Sequence, residues 1–92
     1  MIYSPKEIGK RIQFLRNKAG ITQEHLAEAL HISVSTIGKI ERGFQGTSNE
    51  LIIELAIYFN TTTDYILLGR EVRIVDIKGK LQAMLADLEN LE

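Results

Sequence analysis

The sequence predicts an all-α fold, in which a compact body of five short helices is followed by a C-terminal extension that we also expect to be helical. Apolar residues recur at helical spacing along most of the chain, and Pro5 is the only proline. Serine or threonine precedes each apolar run, and glycine follows several of them, which are the residues that begin and end helices. A chain of 92 residues is long enough for one core.

The first helix has a strong start signal. Ser4 suits the N-cap, Pro5 suits the first helical position, and Glu7 completes a capping box. The apolar residues that follow share one helical face and are Ile8, Ile12 and Leu15. Gly20 predicts the end of this helix.

Two more short helices follow, joined by a turn of three residues. Thr22 is the expected N-cap of a helix over 23–30, and Ser33 that of a helix running to Arg42, with Gly43 just past its end. The residues expected to be buried are Leu26, Ala27 and Leu30 in one helix and Ile37 and Ile40 in the other.

The fourth and fifth helices complete the body. Thr47-x-x-Glu50 predicts a capping box for the fourth helix. The residues on its inward face are Leu51, Ile52, Leu55, Ala56 and Phe59. Thr62 or Thr63 begins a short fifth helix that ends at Gly69. We therefore divide the chain into a domain over 1–70 and a tail over 71–92.

The tail admits two interpretations. Residues 71–78 are rich in β-branched side chains and could be extended, whereas 80–91 favour a helix. Apolar residues spaced alternately by three and four, the pattern of a coiled-coil seam, are Ile74, Ile77, Leu81, Met84, Leu88 and Leu91. We expect this seam to form a homodimer contact, and the alternative is a helix folded back on its own domain.

Charge and composition narrow the function classes. Residues 1–45 carry seven Lys/Arg and four Asp/Glu, whereas residues 46–92 carry four Lys/Arg and eight Asp/Glu. The first half therefore has a formal net charge of +3 and the second a formal net charge of −4. One end of the molecule can therefore meet phosphate. The chain has no cysteine and no apolar stretch near the length of a membrane span. We expect an intracellular protein without a metal, a cofactor or a membrane partner.

The stretch from Thr22 to Gly43, TQEHLAEALHISVSTIGKIERG, predicts two helices of which the first braces the second. A major groove about 12 Å wide admits such a protruding helix. Ala27 supplies the small residue where the helices cross. The residues that pin the second helix from behind are Ile32, Ile37 and Ile40. The positions left to face DNA are Val34, Ser35, Gly38 and Lys39.

Five motifs appear in a fixed order. They are Ile-x-x-Leu-Arg at 12–16, Thr-Gln-x-x-Leu-Ala at 22–27, Ser-x-Ser-Thr-Ile at 33–37, Ile-Glu-Arg-Gly at 40–43 and Asp-Tyr-Ile-Leu-Leu-Gly at 64–69. With them the chain resembles the phage repressor and Cro-like (XRE-type) helix-turn-helix family over residues 8–69. The resemblance implies a cytoplasmic transcriptional regulator, most commonly a repressor, that binds double-stranded DNA at a pseudo-palindromic operator as a dimer.

The resemblance also implies residue roles. Gln23 would hold a phosphate and touch the recognition helix, which is the second helix of the stretch from Thr22 to Gly43. Arg16 would pair with Glu41 near the DNA backbone. The base-reading positions are Val34, Ser35 and Lys39. The other residues of the expected DNA-contacting set are Thr22, Ser33, Thr36, Arg42, Gln45 and Thr47.

Three positions depart from the family pattern. His31 stands where the turn commonly has glycine, so we expect it to adopt a positive φ. Gly38 lies inside the recognition helix, where it costs about 1 kcal/mol relative to alanine and could allow a closer approach to the groove. Asn60 replaces another frequent glycine.

Three other functions are an antitoxin, a metal-binding protein and an enzyme. An antitoxin would bind a toxin through the tail while the same domain binds DNA. Glu24, His25 and Glu28 lie close on one helix, but solvated surface explains them better than a metal site. No general base accompanies the serines and threonine at 33, 35 and 36 at motif spacing, so we expect no catalytic residue and no enzyme activity.

Overall fold

The computed structural model describes residues 4–70 and 74–90, and every regular element in these ranges is a helix. The six helices are α1 (Pro5–Lys18), α2 (Gln23–Leu30), α3 (Val34–Glu41), α4 (Asn49–Tyr58), α5 (Thr63–Leu68) and α6 (Ile74–Glu89). The all-α fold predicted from the sequence is confirmed. None of these helices is both long and apolar enough to cross a membrane.

Hydroxyl side chains begin each of the first five helices. The N-caps are Ser4, Thr22, Ser33, Ser48 and Thr62, and each accepts a hydrogen bond of 3.0–3.3 Å from the backbone N–H three residues ahead. Each bond satisfies an N–H that has no partner within the helix, which stabilises the helix by about 1 kcal/mol. The cap of α4 is Ser48, so the prediction of Thr47 is wrong by one residue.

A left-handed residue follows each of these helices, and two of the five are not glycine. His31 has φ 57° and Asn60 has φ 53°, at the positions where the family pattern commonly has glycine. The expected positive φ of His31 is therefore confirmed. α3 ends at Glu41, one residue before the predicted Arg42, which is its C-cap.

One core joins the five helices. Ile12, Leu26, Ile37, Leu55 and Ile66 are its largest fully buried side chains, one from each of α1 to α5. Burying a side chain of this size contributes about 1.5–3 kcal/mol. Because every helix supplies one of these side chains, the position of α3 depends on the whole body.

The last helix differs from the sequence-based alternatives. α6 begins at Ile74, so residues 74–78 are helical rather than extended. Every side chain described in this helix, from 80 to 89, is exposed. Over this range α6 does not fold back on the body. Of the proposed seam, Leu81, Met84 and Leu88 lie on the exposed surface. The side chains of Ile74 and Ile77, and all of Leu91, lie outside the described residues.

Candidate nucleic-acid interface

The turn at His31 sets the angle between α2 and α3. The left-handed conformation of His31 ends α2, and the N–H of Ile32 then bonds the carbonyl of Ala27 at 3.0 Å. Ala27 is buried where the sequence predicted a small residue at the crossing. Ile37 and Ile40 are buried behind α3 as predicted, and Ile32 packs against the core beside them. The opposite side of α3 is thereby presented to solvent.

The exposed side of α3 carries all three predicted base-reading residues. Val34, Ser35 and Lys39 are exposed. Val34 is an apolar residue left in water, which a thymine methyl could cover. Gly38 differs, because it is buried beneath the Arg42 side chain. The prediction that Gly38 is open at this surface is wrong, and its cause is the tendency of helical side chains to lie over the preceding turn.

The start of α3 retains a hydrogen-bond donor. The hydroxyl of Ser33 accepts from the N–H of Thr36 at 3.1 Å, and the two hydroxyl oxygens lie 2.8 Å apart. One hydroxyl proton is used between them, so the other is free to donate outward. Thr22 similarly accepts from the N–H of His25 at 3.0 Å and keeps its own hydroxyl proton. Both helix starts can therefore donate to phosphate oxygens.

A buried carboxylate joins α1, α2 and α3. Glu41 has a side chain only 3% exposed and accepts two hydrogen bonds from Arg16, at 2.7 Å from Nε and 3.1 Å from Nη2. The hydrogen bond with Glu41 raises the pKa of the Arg16 guanidinium, against the lowering effect of burial. Arg16 also donates to the carbonyl of Ile21 at 3.0 Å. The ion pair that the resemblance implied is present and holds the end of α3 against α1.

Gln23 completes this cluster. Its Nε2 donates to Oε1 of Glu41 at 2.9 Å, so Gln23 contacts the recognition helix as the resemblance implied. The carboxylate fixes the orientation of the amide, because only its NH₂ group can face an acceptor. The second N–H of that group is left to donate elsewhere. Gln23 is half-buried at the first position of α2, which suits a phosphate contact.

The loop after α3 contains a residue that the sequence analysis did not select. Phe44 is 78% exposed, and the Arg42 guanidinium carbon lies 5.5 Å from the centre of its ring. Gln45 is exposed and Thr47 is half-buried in the same loop. The sequence signal for Phe44 is an aromatic residue directly after the glycine that follows a recognition helix. This loop and α3 form one continuous surface.

Comparisons with known proteins agree with this geometry. The helix-turn-helix family model matches residues 12–66. The chain is 36% identical to the HTH-type transcriptional regulator ImmR of Bacillus subtilis over 70% of this chain and 50% of that protein. It is 40% identical to the competence pilus inhibition repressor of Acinetobacter baylyi over 71% of this chain and 59% of that one. The chain thus spans about half or somewhat more of each relative.

A solved structure shows the same fold. The P22 c2 repressor protein, in complex with synthetic operator 9T, superimposes with a TM-score of 0.65 at 28% identity. The match covers 68% of this chain and 96% of the repressor chain. The matched region is therefore close to the length of the five-helix body.

Proposed function

This chain belongs to the helix-turn-helix family of the phage repressor and Cro-like type, and from that premise we propose that it is a sequence-specific DNA-binding regulator of transcription. We propose that it acts as a dimeric repressor at a pseudo-palindromic operator. The observation that carries the proposal is α3, whose rear is buried while Val34, Ser35 and Lys39 are exposed on its front. The proposed role needs no cofactor or catalytic residue and would be performed in the cytoplasm.

Phosphate contacts would set affinity and register. The residues at the helix starts and in the following loop that fit this role are Thr22, Gln23, Ser33, Thr36, Gln45 and Thr47. Their hydroxyl and amide groups suit phosphate oxygens, which receive half to two-thirds of the hydrogen bonds in such complexes. The excess of Lys and Arg in residues 1–45 attracts the same backbone.

Base contacts would set specificity. Lys39 can donate to O6 and N7 of guanine, Val34 can contact a thymine methyl, and Ser35 can donate to or accept from several base edges. Each matched contact discriminates against a wrong base by about 1–3 kcal/mol. These side chains occupy one face of one helix, so they would contact neighbouring base pairs.

Selection of bound duplexes from a random DNA pool tests the proposal. We expect the selected sites to share a palindromic motif whose half-sites repeat about 34 Å apart. Recovery of duplexes with no common sequence would contradict sequence-specific binding.

Two variants then separate base reading from phosphate contact on a panel of single-base operator changes. Lys39→Ala should weaken the best operator by about 1–3 kcal/mol and relax the preference at one base pair in each half-site. Gln23→Ala should weaken every duplex by similar factors and leave the preferences intact. Equal weakening of all sites by Lys39→Ala would make Lys39 a phosphate contact.

The C-terminal helix is proposed to join two copies. Leu81, Met84 and Leu88 fall on the seam and are exposed in the single chain, as is the neighbouring Leu85. An exposed apolar stripe of this kind is usually covered by another helix. A second copy would bring a second α3 to the other half-site, and both contacts would then add to specificity.

Sedimentation tests the dimer. Deleting residues 72–92 should leave residues 1–71 folded but mostly monomeric, because the seam lies within the deleted part. In the full chain, Leu88→Glu should dissociate the dimer, whereas Gln82→Glu, which adds the same charge off the seam, should not. A truncated protein that remains a tight dimer would move the contact to the body.

The exposed face of α6 also supports one alternative, an antitoxin whose tail covers this face with a toxin. An attempt to purify the chain together with the product of a neighbouring gene distinguishes an antitoxin from a homodimeric repressor. A stable complex of that product with wild-type protein, lost in Leu88→Glu and kept in Gln82→Glu, would favour the antitoxin. A homodimer with no such complex would favour the repressor.

A further inference from the structure

Gly38 and Arg42 lie near the middle of the exposed face of α3. An α-helix turns by about 100° per residue, which places Val34 at one edge of this face and Lys39 at the other, about 140° apart. Gly38, Arg42 and Ser35 fall between these edges. The buried Ile37, Ile40 and Glu41 lie on the remaining side. A side chain in the middle of the exposed face would be aimed most directly at the groove.

The Arg42 guanidinium lies flat over Gly38. A Cβ atom on Gly38 would be 3.8 Å from each Nη of Arg42 and 3.9 Å from its Cζ, with no other group as near. Gly38 is buried although Arg42 itself is exposed, and the Arg42 side chain contributes to its cover. Arg42 thus extends back along α3 by one turn, in the direction that helical side chains prefer. Its charge is brought from the end of α3 towards the base-reading residues.

Phe44 also contacts the guanidinium. Its ring centre lies 5.5 Å from Arg42 Cζ, within the range of a cation–π contact. Its N–H bonds the carbonyl of Lys39 at 2.9 Å, which fixes the backbone beside the end of α3. The preceding Gly43 has φ +78° and passes so close to Lys6 that a Cβ would lie 2.7 Å from Lys6 Cα. The backbone that carries the exposed aromatic ring is therefore held in one place by the fold.

We propose that Arg42 is a base-reading residue that contacts guanine in the major groove, with Gly38 and Phe44 as its positioning residues. The proposal rests on the DNA-binding function proposed above and adds a specificity determinant to it. None of the ion pairs among the described residues involves Arg42, so its charge is available to a ligand. A guanidinium matches O6 and N7 of guanine with two parallel N–H groups, the commonest specific contact in protein–DNA complexes.

Binding titrations on the panel of single-base operator changes test the contact. Arg42→Ala should weaken binding to the best operator by roughly 5- to 150-fold and remove the preference at one base pair per half-site, distinct from that of Lys39. Uniform weakening of all duplexes would overturn the proposal, because it would make Arg42 a phosphate contact. If wild-type protein itself binds all duplexes equally, the proposed function fails. If wild type discriminates and Arg42→Ala keeps every preference, only this inference fails.

Two substitutions at Gly38 test its positioning role. Gly38→Ala places a Cβ at ordinary contact distance from the guanidinium, so it should keep the Arg42 preference. Gly38→Leu fills the space that Arg42 occupies and should remove the same preference that Arg42→Ala removes. Thermal unfolding checks that both variants are folded. Gly38→Leu should have no further effect on that base pair in the Arg42→Ala background. Retention of the preference by Gly38→Leu would contradict the positioning role of Gly38.

Two substitutions at Phe44 test its positioning role. Phe44→Leu should weaken the same preference by roughly 2- to 5-fold, because the ring that holds the guanidinium is lost. Phe44→Tyr keeps an aromatic face and should retain it. An equal effect of the two variants would remove Phe44 from the proposal while leaving Arg42 to its own test.

Discussion

The five-helix body and α6 are both helical but are stabilised in different ways. Each helix of the body buries one of the five largest core side chains, and Glu41 adds a polar contact among α1, α2 and α3. In α6, every described side chain from 80 to 89 is exposed. An isolated helix of about 16 residues is marginal in water. We therefore expect α6 to need a partner, whereas the five helices of the body share a core of their own.

If tertiary contacts stabilise the body, the largest effect should come from its buried ion pair. Glu41→Ala leaves Arg16 without its carboxylate and should lower the free energy of unfolding by about 3–5 kcal/mol. The control is the exposed pair of Lys10 with Glu7, whose charged atoms are 3.6 Å apart. Lys10→Ala should cost under about 1 kcal/mol. Chemical denaturation measures both. Equal small costs would mean that the Arg16 side chain reaches water once Glu41 is removed.

A leucine-to-alanine substitution in each region measures how much buried contact stabilises the body and α6. Leu26 is 0% exposed, so Leu26→Ala should lower the free energy of unfolding by about 2–5 kcal/mol, because a cavity remains. Leu85, which is 58% exposed, should lose less than about 0.5 kcal/mol when measured on the monomer. A cost above about 2 kcal/mol for Leu85→Ala at high dilution would show that α6 is stabilised by the body of its own chain.

The smallest effects concern the turn that aims α3. His31→Gly should be neutral or raise stability by a few tenths to about 1 kcal/mol, since glycine adopts the left-handed conformation more easily. His25→Gly, inside α2, should lower stability by a few tenths of a kcal/mol because glycine disfavours a helix. Thermal unfolding of both variants measures whether each substitution raises or lowers stability. Destabilisation above about 1 kcal/mol by His31→Gly would show that the imidazole itself stabilises the turn.

Much of the fold follows from local sequence rules. Ser4, Thr22 and Ser33 begin the helices that their positions predicted, because a hydroxyl cap depends on a few neighbouring residues. Thr62 begins the fifth helix, for which the sequence left Thr62 and Thr63 open. The rule favoured Thr47 over Ser48 because Glu50 completes a capping box with Thr47, but both residues precede suitable backbone N–H groups and the structure uses Ser48. It also could not settle residues 74–78, where weak β-propensity competes with a helix that continues to Glu89.

The candidate site was less accessible to sequence reasoning. The exposure of Val34, Ser35 and Lys39 followed from helical periodicity, and the Arg16–Glu41 pair followed from the family resemblance. The cover over Gly38 did not follow, because it depends on the rotamer of Arg42, whose guanidinium also lies near the Phe44 ring. Periodicity places a residue on a face but does not say which neighbour lies across it.

If the exposed face of α3 reads sequence, the protein should bind a specific operator much more tightly than non-specific DNA. Wild-type protein would be titrated with a selected palindromic operator and with a scrambled duplex of equal length, at about 50 and 200 mM salt. We expect both affinities to fall by orders of magnitude with salt, while the operator stays at least ~10³-fold tighter. Equal affinities for the two duplexes at both salt concentrations would contradict the proposal that the exposed face of α3 reads sequence.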